Sequence, residues 1–153
     1  MQLESMYQEI ILDHYRRPHH KGLTEPYDVE VHHVNPTCGD EVTVRVKLAD
    51  DGSHVVTGIS YDGLGCSISQ ASTSVMTDLV SGKPLADALA VQAQFLTLMQ
   101  SKGADVDVDD EMLEDAVAFA GVSRYPARIK CALLGWMAFK DAAAQAVAAK
   151  EQS

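Results

Sequence analysis

The chain is predicted to be an α+β protein in which helices pack on one face of a small, three-stranded antiparallel sheet. Three observations carry that prediction. Apolar residues recur at helical spacing at the start of the chain, alternate with polar ones through the second quarter, then return to helical spacing to the end. An Asp-Gly turn folds the alternating region into a hairpin. The strands run together in sequence rather than alternating with helices, which points to α+β rather than α/β.

Each element follows from its own residues. Residues 3–16 read as a helix because Met6 and Ile10, and Tyr7 and Ile11, fall four apart, and Pro18 closes it. The turn-rich stretch RPHHKGLTEP follows. DVEVHHV is the first strand. In VTVRVKL, Val42, Val44, Val46 and Leu48 face one way and Thr43, Arg45 and Lys47 the other, the pattern of a half-buried strand. DDGS, Asp50 to Ser53, turns the chain into the third strand, HVVTGISYDG.

Helical spacing resumes after Cys66. Ser67 and Gln70 match the S-x-x-Q capping box, with Ser67 as N-cap, and Ile68, Ala71, Val75 and Leu79 form one face. Gly82 and Pro84 stop this helix. LADALAVQAQFLTLMQSKG is a further helix ending at Gly103, and DEMLEDAVAFAG a short one ending at Gly121. Ser123 and Pro126 open a long alanine-rich helix, in which Trp136 and Phe139 are core residues.

The bulk composition narrows the function. The 153 residues suit a single domain spanning residues 1–153, with enough apolar content, 46%, to fold without disulfides. A formal net charge of −10 works against generic binding to nucleic acid or to an anionic membrane surface. No apolar run approaches the ~18 residues of a membrane span. The first residues carry Glu4 and Glu9 and no signal-peptide core, so a cytoplasmic location is expected. In that reducing compartment Cys38, Cys66 and Cys131 are expected to be metal-binding, reactive or simply buried, rather than bridged.

The three thiols sit at ends of elements, where sites gather. Cys38 lies in NPTCGDE, a tight loop marked by Asn35-Pro36 and Gly39, with Asp40 two residues on. Cys66 precedes a helix N-terminus, whose unpaired amides favour a thiolate. Cys131 lies in the early turns of the last helix, near Arg128 and Lys130, which can stabilise a thiolate. Three sulfurs and the Asp40 carboxylate make four donors, the ligand count of a tetrahedral zinc site, and thiolates also suit iron–sulfur clusters. There is no C-x-x-C pair, so on spacing alone two readings stand: a metal or sulfur-chemistry site, or three small buried hydrophobes.

The wording of the sequence adds to its spacing. LDHYRRPHHKG (Leu12 to Gly22), NPTCGDEV (Asn35 to Val42) and GLGCSISQASTSVM (Gly63 to Met76) resemble, in this order, three signature segments of the IscU/SufU/NifU-N family of iron–sulfur cluster assembly proteins. The resemblance covers nearly the whole chain and implies the SufE/NifU-like (IscU-type) fold. It implies metal ligands at Cys38, Asp40, Cys66 and Cys131. Scaffolds of the IscU type carry a His before the third cysteine and a Leu-Pro-Pro-Val-Lys motif. Here Lys130 takes the place of that His and RYPARIKC lacks the motif, while extra length separates Cys66 from Cys131, so the resemblance is to the SufU branch.

That branch implies a zinc-dependent sulfurtransferase accepting persulfide sulfur from a SufS-type cysteine desulfurase and passing it to a SufBCD-type complex. It further implies that a partner side chain, a His, displaces Cys38 from Zn2+, leaving Cys38 as the sulfur acceptor. Local sequence agrees, since Gly39 gives the Cys38 loop freedom to swing. Arg128 and Lys130 are expected to stabilise the leaving thiolate or touch the partner. The alternative is a non-catalytic scaffold assembling a transient [2Fe–2S] cluster on the same ligands.

Other motifs carry ordinary readings. DVDVDDE, starting at Asp105, has Asp110 and Ala116 where a calcium loop needs Gly and Glu, so it reads as an acidic lead-in to a helix. His19-His20 and His32-His33 read as loop and strand-surface residues, because neighbouring strand side chains point to opposite faces. The serines after Cys66 read as close-packed small residues.

Overall fold

The computed structural model describes residues 3–37, 39–104 and 106–151, with side chains from residue 6 onward. Helix α1 (Leu3–Arg16) leads into strands β1 (Val29–Asn35), β2 (Asp40–Leu48) and β3 (Val56–Leu64). Then come helices α2 (Ser67–Val80), α3 (Leu85–Gln100) and α4 (Asp110–Leu113), a 3₁₀ segment (Glu114–Arg124) and the long helix α5 (Pro126–Glu151). The sheet is antiparallel in the order β1-β2-β3. Its register runs from Val29 opposite Val46 to Asn35 opposite Asp40, and on the other side Glu41 lies opposite Leu64. Among the described residues no helix is long and apolar enough to cross a membrane.

The alternation read in β2 is realised: Val42, Val44, Val46 and Leu48 are buried, and the residues between them are only partly covered. The buried side faces α5, whose inner stripe includes Ala132, Trp136, Phe139, Ala142 and Ala146. Polar clasps pin that helix to the strands. His33 Nε2 lies 2.8 Å from Asp141 Oδ2, and this hydrogen bond holds the Asp141 carboxyl below the usual carboxylate range. Lys150 Nζ lies 3.2 Å from Asp28 Oδ1 and also pairs with Asp50. His32 turns to the other side, with Nδ1 2.9 Å from Thr43 Oγ1. The two neighbouring histidines do face opposite ways.

Helix α2 packs between α1 and α5. The approach to α5 is close: a Cβ on Gly135 would stand 2.3 Å from Thr73 Oγ1. Ser72 locks the pair, its hydroxyl donating to the Ala132 carbonyl at 2.7 Å while accepting from Trp136 Nε1–H at 3.0 Å. Phe95 of α3 stacks on the far side of the Trp136 ring at 4.3 Å between centroids.

The segment before β1 is more than a turn. His20 and Gly22 exchange backbone hydrogen bonds with Tyr61 at 3.1 and 2.7 Å, so the segment covers the outer edge of β3. Tyr61 becomes fully buried. Burial pushes its phenol up to about 12, only partly offset by the neighbouring Ser74 hydroxyl, and the Tyr61 oxygen has no partner within hydrogen-bond geometry among the described residues.

Two local expectations are corrected. Helix α2 begins one residue earlier than the S-x-x-Q pattern implies: Gln70 N–H donates to the Cys66 carbonyl at 3.1 Å, which makes Cys66, not Ser67, the N-cap. In a capping box the N3 side chain satisfies the N-cap N–H; here Asp40 does so from β2, at 3.1 Å. The helix read over residues 110–121 is α-helical for one turn only. Asp109 Oδ1 caps it by accepting the Met112 N–H at 3.1 Å, and Glu114, at φ 46°, breaks the ladder. The following residues bury Ala116 and Phe119 after Leu113, a spacing of three that suits a 3₁₀ turn rather than an α turn. Asp105, the first residue of the acidic lead-in, lies outside the described residues.

Candidate metal centre

The site forms where the first residue of β2, the N-cap of α2 and the second turn of α5 meet. Asp40 is 2% exposed although it opens a strand beside the β1–β2 turn. That turn is built by Asn35, whose side-chain Oδ1 accepts the Thr37 N–H at 3.2 Å and whose carbonyl accepts the Gly39 N–H at 2.9 Å. Gly39 takes φ 75°, a conformation that favours glycine. Cys38, on the same turn in sequence, lies outside the described residues.

Asp40 uses its two oxygens differently. Oδ1 accepts the Cys66 backbone N–H, and Oδ2 stands 3.6 Å from Cys66 Sγ. The approach needs Gly65, because a Cβ there would fall 2.8 Å from Asp40 Oδ1 and 2.4 Å from Ser69 Oγ. Ser69 Oγ–H in turn donates to the Cys66 carbonyl at 3.0 Å. Cys66 makes no side-chain capping bond, so its sulfur stays directed to the site.

Cys131 comes from α5 and is 1% exposed, with Sγ 3.6 Å from the Ala127 carbonyl one turn back. The carboxylate oxygen of Asp40 and the sulfurs of Cys66 and Cys131 all lie within 4.8 Å of one another. Three groups from positions far apart in sequence thus converge on one point. Two thiols and one carboxylate are donors that zinc accepts, so the residues fit that ion. Arg128 and Lys130 are both exposed on the first turns of α5.

A separate cleft of about 640 Å³ opens beside the centre rather than over it. Ser67, Tyr125 and Arg128 line it, whereas Asp40, Cys66 and Cys131 do not.

The residues that position the centre are less visible in sequence than the donors themselves. Ser72, Thr73 and Gly135 set the distance between α2 and α5, and hence between Cys66 and Cys131. Gly65 and Ser69 shape the Asp40 contact. Small residues packed after a cysteine are the signal for close helix contact, but they do not name the partner helix.

Known proteins share this architecture. A Bacillus subtilis protein named zinc-dependent sulfurtransferase SufU is 41% identical over 143 residues, covering 94% of this chain and 92% of its own. A Streptococcus pyogenes protein named iron-sulfur cluster assembly scaffold protein IscU is 40% identical, over 92% of this chain and 84% of its own. Among solved structures, a Fervidobacterium islandicum protein assigned as an iron-sulfur cluster assembly scaffold for the SUF system superposes with a TM-score of 0.77 at 30% identity, over 93% of this chain and 99% of its own. The profile of the NifU-like N terminal domain matches residues 6–132. With the α+β fold and these relatives, the chain belongs to the NifU-like N terminal domain family.

Proposed function

We propose that this chain is a zinc-dependent sulfurtransferase of iron–sulfur cluster assembly. It takes persulfide sulfur from a SufS-type cysteine desulfurase in the cytoplasm and hands it to a SufBCD-type complex. The observation that carries the reading is the convergence of Asp40, Cys66 and Cys131 within 4.8 Å, in a chain 41% identical to a protein named for zinc-dependent sulfur transfer. Asp40, Cys66 and Cys131, with Cys38 as the fourth ligand, hold the zinc. When bound there, zinc keeps coordinated thiols in the deprotonated form. The whole chain, residues 1–153, acts as one domain.

Cys38 is the acceptor. Its thiolate attacks the outer sulfur of the desulfurase persulfide. A new S–S bond forms on Cys38, the S–S bond to the partner's cysteine breaks, and that cysteine leaves as a thiolate. One sulfur atom moves, and no outside oxidant or reductant is needed. Cys66 and Cys131 are borne by helices, whereas Cys38 is next in sequence to Gly39, which takes φ 75°, and this supports giving the mobile role to Cys38. Arg128 and Lys130, both exposed, stabilise the leaving thiolate or touch the partner.

The test is desulfurase turnover with and without this protein. Cys38→Ala is expected to abolish the stimulation while the desulfurase alone keeps its activity; a variant that still took up sulfane sulfur would overturn the assignment. The scaffold reading is favoured by the 40% identical IscU relative. Anaerobic reconstitution separates the two: a stable coloured cluster passed on to an apo-acceptor belongs to a scaffold, and persulfide on Cys38 to a sulfurtransferase.

A further inference from the structure

At the opposite end of α2 from Cys66, a second set of donors comes together from three separate elements. The ligating atoms of His14, His19 and Asp78 lie within 4.8 Å of one another. His14 is on the inner side of α1 and only 4% exposed. Its Nδ1 lies 2.8 Å from Ser74 Oγ, and its Nε2 lies 3.4 Å from Asp115 Oδ2. His19 is fastened at its backbone, where its N–H donates to the same Ser74 Oγ at 2.8 Å, and its Nδ1 pairs with Asp78 Oδ2. The His14 and His19 rings sit 4.5 Å apart between centroids, tilted by 47°. His20 Nδ1 approaches the other Asp78 oxygen at 3.6 Å.

Isolated surface pairs of this kind contribute little to stability and call for no buried member. This cluster has one, and it is organised as metal sites are. Two imidazoles and a carboxylate are a donor set that zinc and other late first-row divalent ions accept, with a position left open. Outer partners orient a ligating His through its second nitrogen, and Ser74, 2.8 Å from His14 Nδ1, is placed to do so while the more loosely engaged Nε2 turns to the ion.

We propose that His14, His19 and Asp78 form a second divalent-cation site, selective for zinc-like ions over calcium or magnesium. The bound ion clips the segment after α1 onto the C-terminal half of α2. The site is independent of the sulfur-transfer reading. Cys66 and Asp78 stand near opposite ends of the 14-residue α2, roughly 18 Å apart at the helical rise of ~1.5 Å per residue.

The test is titration of the metal-free full chain with Co2+ and Zn2+, with circular dichroism as the check on folding. A chain with Cys38, Cys66 and Cys131 all changed to Ser is expected to bind about one Co2+, with ligand-field absorption and no sulfur-to-cobalt charge-transfer band. Adding His19→Ala to it removes that binding. In the otherwise native chain, His19→Ala with Asp78→Asn, both at partly exposed positions, lowers zinc uptake from about two equivalents to about one and leaves the sulfur-to-cobalt band intact. Unchanged stoichiometry in that double variant overturns the site. So does a folded cysteine-free chain that takes up no Co2+. If the cysteine-free chain does not fold, the double variant alone decides. Loss of the sulfur band in every form counts against the thiolate centre and not against this one.

Discussion

The Asp40 carboxylate accepts the Cys66 backbone N–H at 3.1 Å through one oxygen and stands 3.6 Å from the Cys66 sulfur through the other. One side chain therefore anchors the start of α2 and faces the Cys66 thiol. Asp40→Ala is expected to destabilise the metal-free protein by about 1–2 kcal/mol, the cost of an uncapped buried N–H. It should also weaken zinc binding by at least about tenfold. Asp40→Asn keeps an acceptor for the N–H, so stability recovers more than zinc affinity does. Thermal denaturation of the metal-free protein and competition with a chromophoric chelator measure the two effects separately.

Helix spacing gives a second outcome. Gly135→Ala places a methyl against Thr73 with no room for it. Overpacking of this kind costs about 1–3 kcal/mol. Because α2 carries Cys66 and α5 carries Cys131, the same change should lower zinc affinity, and adding Thr73→Ala should restore part of both. A Gly135→Ala protein with native stability and native zinc affinity would show that the helix contact does not set the distance between the sulfurs.

Much of this was legible in the chain itself, for reasons that are local. Period-two alternation in Val42 to Leu48 fixed strand and buried face together, because side-chain direction in a strand follows from backbone geometry. The elements that misled were decided by partners distant in sequence. Cys66, rather than Ser67, caps α2 because Asp40 reaches it from another strand. The 3₁₀ segment follows from packing Ala116 and Phe119 beneath α3 and from Glu114 at positive φ, neither of which alanine-rich composition reveals. The grouping of Asp40, Cys66 and Cys131 was one of two readings that donor chemistry left open, and the family resemblance favoured it. The gathering of His14, His19 and Asp78 was not foreseen, since the histidine pair at 19 and 20 read as surface and His14 lay unremarked inside a helical pattern.

Alkaline stability provides a third measurement. Tyr61 has its phenol raised to about 12 by burial, above the unfolded value of about 10. The folded state thus keeps a proton that the unfolded state releases. Stability attributable to this group is complete below pH about 10 and declines as pH rises from there towards 12. Tyr61→Phe should flatten that part of the stability curve relative to the parent. It also removes a buried hydroxyl without a partner among the described residues, so stability at neutral pH should be unchanged or higher. Denaturant unfolding of both proteins across the alkaline range checks the difference.

Metal removal is the fourth. An ion held only by the folded state stabilises it by about 2.7 kcal/mol at a free concentration one hundred times Kd. For a chain of this size that corresponds to a Tm change of roughly 5–10 °C. A strong chelator should lower Tm by at least that order, and Cys131→Ser should lose the part that comes from the thiolate centre while keeping the part that comes from the histidine cluster. Identical melting with and without chelator would mean that the carboxylate and thiols do not hold an ion in the folded protein.

The three converging groups are distributed along the chain in a way that bears on its synthesis. Asp40 and Cys66 lie on neighbouring elements, while Cys131 is delivered by α5, which follows every other element. Chains leave the ribosome N-terminus first, so the carboxylate and one sulfur can be in place long before the other sulfur emerges. Among the described elements α5 is the last to be made, so a translation product interrupted before it carries Asp40 and Cys66 without the second sulfur.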